Sequence, residues 1–188
     1  LLCGAHLSLP AQEKPKPSMP IDLDKALQKP LPQDRAQSYY YFALAKWQEG
    51  QGNLDKAVSN MRTALRYDQQ SATLRVELAT LLVRSGDLLE GIETAQEAVR
   101  IDPKNPEPYW LLANIYLESE DRNQRVSEES LRKAVKELEA MKEAAPNDER
   151  AYYLLGDAYF KLNKPEKAIE AYEKFEELVP GVDAGYLK

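Results

Sequence analysis

Tyr109, Leu112, Ala113 and Tyr116 are matched in kind and spacing by Tyr152, Leu155, Gly156 and Tyr159, and Tyr41, Leu44 and Ala45 open the same pattern two periods earlier. Self-similarity with a period in the thirties is the signature of a solenoid, whose units bury their apolar faces only by stacking on one another. Overlaying the segments places unit starts at Ser38, Ala72, Pro106 and Glu149. The first two steps are 34 residues and the third is 43, which is one period with a nine-residue insertion.

The local pattern inside each unit is helical. Ala151 to Leu162 and Pro165 to Leu178 carry apolar residues three and four apart, which puts them on one helix face. Gly50, Gly52, Gly86 and Asn163 fall where a turn would separate two helices of a pair. Asp102-Pro103 and Ala145-Pro146 end the second helices, because proline disfavours helical geometry in the residue before it. Small residues (Ala45, Ala57, Ala79, Ala113, Gly156, Ala168) stand where paired helices must approach closely. The insertion falls between Tyr116 and Ala134. Its polar stretch, Glu118 to Val126, reads as a longer first helix or a protruding loop, and Ser127 with Glu128 and Glu129 reads as the start of the next helix.

The chain resembles the tetratricopeptide repeat family, a 34-residue helix–turn–helix with a W-x2-L-G-x2-Y, A-x3-F, A, P pattern. Unit four fits best, with Tyr152, Leu155, Gly156, Tyr159, Ala168, Tyr172, Phe175 and Pro180. Unit three fits once its insertion is allowed, through Tyr109, Leu112, Ala113, Tyr116, Ala134, Leu138, Met141 and Pro146. Unit one departs at Gln48 and Gln69, and unit two at Arg75, Leu82 and Gly91. The resemblance spans residues 38–180. It implies an all-α fold, a right-handed superhelical solenoid of four helix pairs at 38–71, 72–105, 106–148 and 149–182.

The resemblance also implies a groove lined by the first helix of each pair, at positions 2, 5, 9 and 12. These are Tyr39, Phe42, Lys46 and Glu49; Thr73, Val76, Thr80 and Val83; Glu107, Trp110, Asn114 and Leu117; and Arg150, Tyr153, Asp157 and Phe160. Position 5 forms a largely aromatic stripe of Phe42, Val76, Trp110 and Tyr153, and aromatic residues are enriched at binding hot spots. Asn114 beside it could hold a peptide backbone. The alternative is that these rings pack against neighbouring helices or an N-terminal segment. The lysine/asparagine/arginine clamp that some family members use for a terminal carboxylate is not reproduced, with Phe42, Thr80 and Asp157 at groove positions.

The flanks read differently. Leu1 to Ala11 resembles the end of a secretory signal, an apolar run closed by a small residue. That predicts a periplasmic or secreted protein; a lipid anchor on Cys3 and a cytoplasmic protein with a plain N-terminus are the alternatives. Residues 12–37 carry five prolines (Pro15, Pro17, Pro20, Pro30, Pro32) and read as a linker. Residues 183–188 read as the first turn of a further, truncated helix, with Tyr186 where Tyr41, Tyr109 and Tyr152 fall in their units. An unfinished helix would leave an apolar face and favour self-association through the C-terminal end.

Composition narrows the function. A net charge of -6 and a pI near 5.0 argue against nucleic acid as the main partner. No run of 18 apolar residues is present, so no membrane-spanning helix is expected. The single His (His6) and single Cys (Cys3) both lie in the first six residues, which leaves the repeats without a nucleophilic triad or a Cys/His metal site. The eight glycines are scattered, so no phosphate cradle forms. Carboxylate pairs such as Glu128-Glu129 and Glu176-Glu177 sit in polar helix faces. The sequence therefore reads as a non-enzyme without cofactor or metal. With the resemblance, the expectation is a scaffold that binds a protein or peptide in its groove, or alternatively a spacer or oligomerisation segment of a longer protein.

Overall fold

A computed structural model describes residues 33–119 and 126–181. The expected signal remnant at 1–11, the prolines of the linker, the middle of the insertion and the truncated helix at 183–188 lie outside the described residues. Within the described residues are eight helices: α1 (Gln33–Gly50), α2 (Leu54–Tyr67), α3 (Ala72–Ser85), α4 (Leu88–Ile101), α5 (Glu107–Leu117), α6 (Glu128–Ala144), α7 (Glu149–Lys161) and α8 (Pro165–Leu178). Each odd-numbered helix pairs with the even-numbered one after it, and each pair packs on the next. This is an all-α solenoid.

The turns follow the residue types. Gly52 and Gly86 take φ of 77° and 97°, the left-handed region that a side chain resists. Asn163 takes φ 57° in the equivalent turn of the last pair, which asparagine tolerates best among residues with a side chain. Three helix starts are capped: Ser71 Oγ accepts from Leu74 N (3.2 Å), Ser127 Oγ from Ser130 N (3.0 Å) and Asp148 Oδ1 from Arg150 N (3.2 Å). The second of these starts α6 at Glu128, where the insertion was expected to end. At the other end, α1 starts at Gln33, five residues ahead of Ser38. The prolines stop at Pro32, and Gln33-Asp34-Arg35-Ala36-Gln37 are all compatible with a helix, with an acid in the first turn.

Among the described residues the core forms three clusters along the stack. Met61, Leu78 and Leu82 centre the first, Ala95, Leu112 and Ile115 another, and Leu138, Met141 and Leu155 the third. The small residues mark the tightest crossings. A Cβ on Gly156 would come within 2.3 Å of the Tyr172 ring, so only glycine lets α7 and α8 approach this far.

One hydrogen bond recurs at every junction between units. Tyr109 O–H donates to the Pro103 carbonyl (3.1 Å) and Tyr152 O–H to the Pro146 carbonyl (2.9 Å), six residues back. In unit two, where the sequence departs from the repeat pattern at both ends of this bond, Arg75 Nη1 donates to the Gln69 carbonyl, again six residues back. The departure at Arg75 therefore keeps the contact while changing the donor.

Candidate functional site

Trp110 is the pivot of the groove. It sits on α5, half-buried, and borders a hollow on either side. The first hollow, of about 510 Å³, is lined by Lys46, Thr73, Val76, Thr80 and Glu107 as well as Trp110. The second, of about 520 Å³, is lined by Trp110, Asn114, Arg150, Tyr153, Phe175 and Val179. Of the ten candidate residues, Lys46, Val76, Thr80, Trp110, Asn114, Arg150 and Tyr153 thus line one or other of two hollows that share Trp110. The other three do not. Tyr39 is exposed, Phe42 packs half-buried against the first core cluster, and Asp157 is paired with Lys161 at 2.8 Å.

The cations of the groove are already engaged. Arg150 Nη1 and Nη2 donate to the two carboxylate oxygens of Glu107 (3.2 and 2.7 Å), and Nε and Nη2 donate to those of Asp148 (2.9 and 2.7 Å). Four of the five guanidinium N–H groups are thereby used. The same guanidinium lies 5.5 Å from the centre of the Trp110 ring, in cation–π range. Asp148 is held below the usual carboxylate range by its hydrogen bonds from Arg150. Lys46 Nζ is bound by Glu49 (2.6 Å) and Glu77 (3.2 Å), and the Glu49 contact raises its pKa. Arg84 joins the same carboxylate of Glu49. These groups fix the groove's walls rather than offering free charge to a ligand.

Hydrogen-bonding groups in the groove turn inward on their own helices. Thr80 Oγ1 donates to the Val76 carbonyl (2.9 Å), and Asn114 Nδ2 to the Trp110 carbonyl (2.7 Å). What faces the second hollow is ring and hydrocarbon. Tyr153 and Phe175 lie with ring centres 5.4 Å apart and planes tilted by 52°, an arrangement favoured by aromatic quadrupoles. Phe175 and Val179 come from the second-helix end of unit four, outside the first-helix positions that the resemblance implied. A signal for Phe175 is present in the sequence: it is a phenylalanine at the register where units one and two carry Ala64 and Ala98.

A larger hollow, of about 640 Å³, lies between α6, α7 and α8. Its lining is mostly charged. Lys142 is paired with Glu139 and Lys174 with Glu177 at 2.7 Å, while Lys167 Nζ lies 5.4 Å from the centre of the Tyr159 ring. Tyr159 closes one wall. Its O–H donates to Glu139 (3.0 Å), and burial with that hydrogen bond pushes the phenol up to about 12. A ligand there would have to displace charge pairs, whereas the Trp110 hollows present apolar surface directly. Among the described residues, no group of three or more His, Cys, Asp or Glu side chains could hold a metal ion. The carboxylate pair Glu128-Glu129 is exposed and bound to Arg132 and Lys133.

Two tetratricopeptide repeat family models match the chain, one over residues 34–106 and one over residues 149–174. The chain belongs to the tetratricopeptide repeat family. It is 26% identical over 140 residues to the TPR repeat-containing protein YpiA of Bacillus subtilis, a match covering 74% of this chain. The match spans only 31% of YpiA's own length. Among solved structures it resembles the MamA protein (TM-score 0.65, 23% identity, 80% of this chain and 77% of that one). It also resembles a tetratricopeptide repeat protein of Parabacteroides merdae (TM-score 0.69, 19% identity, 81% of this chain and 57% of that one). At these identities the two structures bear on the fold alone. Tetratricopeptide repeats mediate protein–protein interaction, which places this chain among interaction scaffolds. No described helix is long and apolar enough to cross a membrane.

Proposed function

We propose that this tetratricopeptide array captures a peptide or a partner's segment in its groove, with an apolar side chain lodged against Trp110, Tyr153 and Phe175. The observation that carries this reading is the second hollow: three aromatic rings border it, while Arg150, its one cation among the described residues, is held by Glu107 and Asp148. Affinity then comes from burying apolar surface, and aromatic anchors of this kind dominate interface energetics. Arg150 serves as a positioning residue that holds the Trp110 ring in place.

The test is a peptide library screened against the 188-residue chain, with the selected peptides measured on Trp110→Ala. A loss of affinity above about 1 kcal/mol, with helicity unchanged, is the expected result. Selected peptides that bind Trp110→Ala as tightly as the parent would sink the groove reading. A second reading, a spacer within a longer protein, draws support from the small share of YpiA that the chain spans. We also propose an exported location, supported by the apolar run from Leu1 and the small residue Ala11. Fractionation of the native cells, followed by immunoblotting for residues 38–181, should find the protein outside the cytoplasm. Recovery in the cytoplasmic fraction alone would overturn that assignment.

A further inference from the structure

We propose that the array extends itself head to tail, the α1 face of one copy docking on the α8 face of another. The docking face shares Phe175 with the second hollow, so a docked copy and a groove ligand would compete there, whereas Trp47 and Ile169 line neither hollow. Inside the chain, every junction is built from the same two half-faces. One half is on the incoming first helix: Leu74 and Leu81, Pro108 and Ile115, Ala151 and Ala158 are all buried there. The other half is on the preceding second helix, where Met61 and Ala64, Ala95 and Ala98, and Leu138 and Met141 are buried.

Among the described residues, each half appears once more with no further helix pair packed on it. In the register of Leu74 and Leu81, α1 carries Tyr40 and Trp47, 60% and 59% exposed. In the register of Met61 and Ala64, α8 carries Tyr172 and Phe175, both partly exposed, and one turn earlier stands Ile169, 57% exposed where Val58 is 7%. Both open faces are aromatic or apolar, and they are the two complementary halves of a junction that the chain already makes three times. The occupant that carries the matching half by construction is a second copy of this chain. Ring on ring, Trp47 against Phe175, suits the aromatic content of both faces. Charge does not drive the contact: α1 is neutral by its Asp34, Glu49, Arg35 and Lys46, whereas α8 is acidic. Added salt should therefore leave the association intact or strengthen it.

A contact between unlike faces does not close on itself, so it yields an open series rather than a fixed dimer. The weight-average mass of the 188-residue chain, followed by analytical ultracentrifugation, should rise with concentration and pass the dimer value without a plateau. Trp47→Asp blocks one face and Phe175→Asp the other, so each variant alone should stay monomeric. Mixed in equal amounts, the two should form a dimer and stop there. If Phe175→Asp loses helicity, Ile169→Asp, at a more exposed site on the same face, replaces it. A chain that is monomeric at every concentration, a plateau at the dimer, or a Trp47→Asp variant that still pairs with itself would each overturn the proposal.

Discussion

Met141 and Phe175 occupy the same position in consecutive units, yet the first is fully enclosed and the second is not. Leu81 and Trp47 make the same contrast at the other end, where 1% exposure becomes 59%. Burial at these positions is thus decided by whether another helix pair packs on that face, and only secondarily by residue type. The ends have kept residues as apolar as those of the junctions. This places stability at the enclosed junctions of the described residues.

The contrast is broken most directly by matched truncations. Met141→Ala should cost about 2–5 kcal/mol, the usual range for emptying an enclosed site. Phe175→Ala, although it removes more atoms, should cost less than half of the Met141 value when both are measured by urea denaturation. Equal losses would mean that the α8 face is covered in solution. Next in size is Gly156→Ala, which drives a methyl group into the Tyr172 ring and should cost about 1–3 kcal/mol. A neutral result would show that the ring at this open end swings aside, which itself sharpens the difference between end and interior. Tyr109→Phe removes one junction hydrogen bond and should cost about 0.5–1.5 kcal/mol in the same assay.

The smallest effect is that of pH. Burial pushes the Glu137 carboxyl up, so protonating it favours the folded state, and stability should rise slightly as pH falls from neutrality toward the carboxylate range. Asp148 and Glu49 are held below their usual range by Arg150 and Lys46. Their contribution is full above the ordinary carboxylate value and is lost as pH falls through their lowered ones. The melting temperature should therefore peak on the acid side of neutrality and drop below about pH 4. Glu137→Gln should flatten the rise and leave the drop. A rise that survives in Glu137→Gln would assign it to another group.

The repeat register was legible because it depends on composition at fixed spacing. Ala45, Ala79, Ala113 and Gly156 named the close crossings, and Ser127 named the start of α6. The first-helix positions brought seven of ten candidates into the hollows. What the register could not supply were contacts between units. Arg150 looks like a free groove cation until Glu107, 43 residues earlier, is seen to hold it. Phe175 and Val179 join the groove only because nothing among the described residues follows α8 to cover them. Arg75 and Gln69 read as two separate departures from the pattern, and only their shared hydrogen bond makes them one.

Arg75, Tyr109 and Tyr152 act as guy-lines, each tying the start of one helix pair to the chain just left behind. Tyr41 has no such tie to make, since the residue six places back is Arg35, within its own helix; it stacks instead on Tyr67, ring centres 5.9 Å apart. Because each unit touches only its neighbours, a guy-line steadies one joint and no other. A pull applied to the two ends of the array would meet three separately moored joints, each yielding at its own force, and the chain would lengthen in steps.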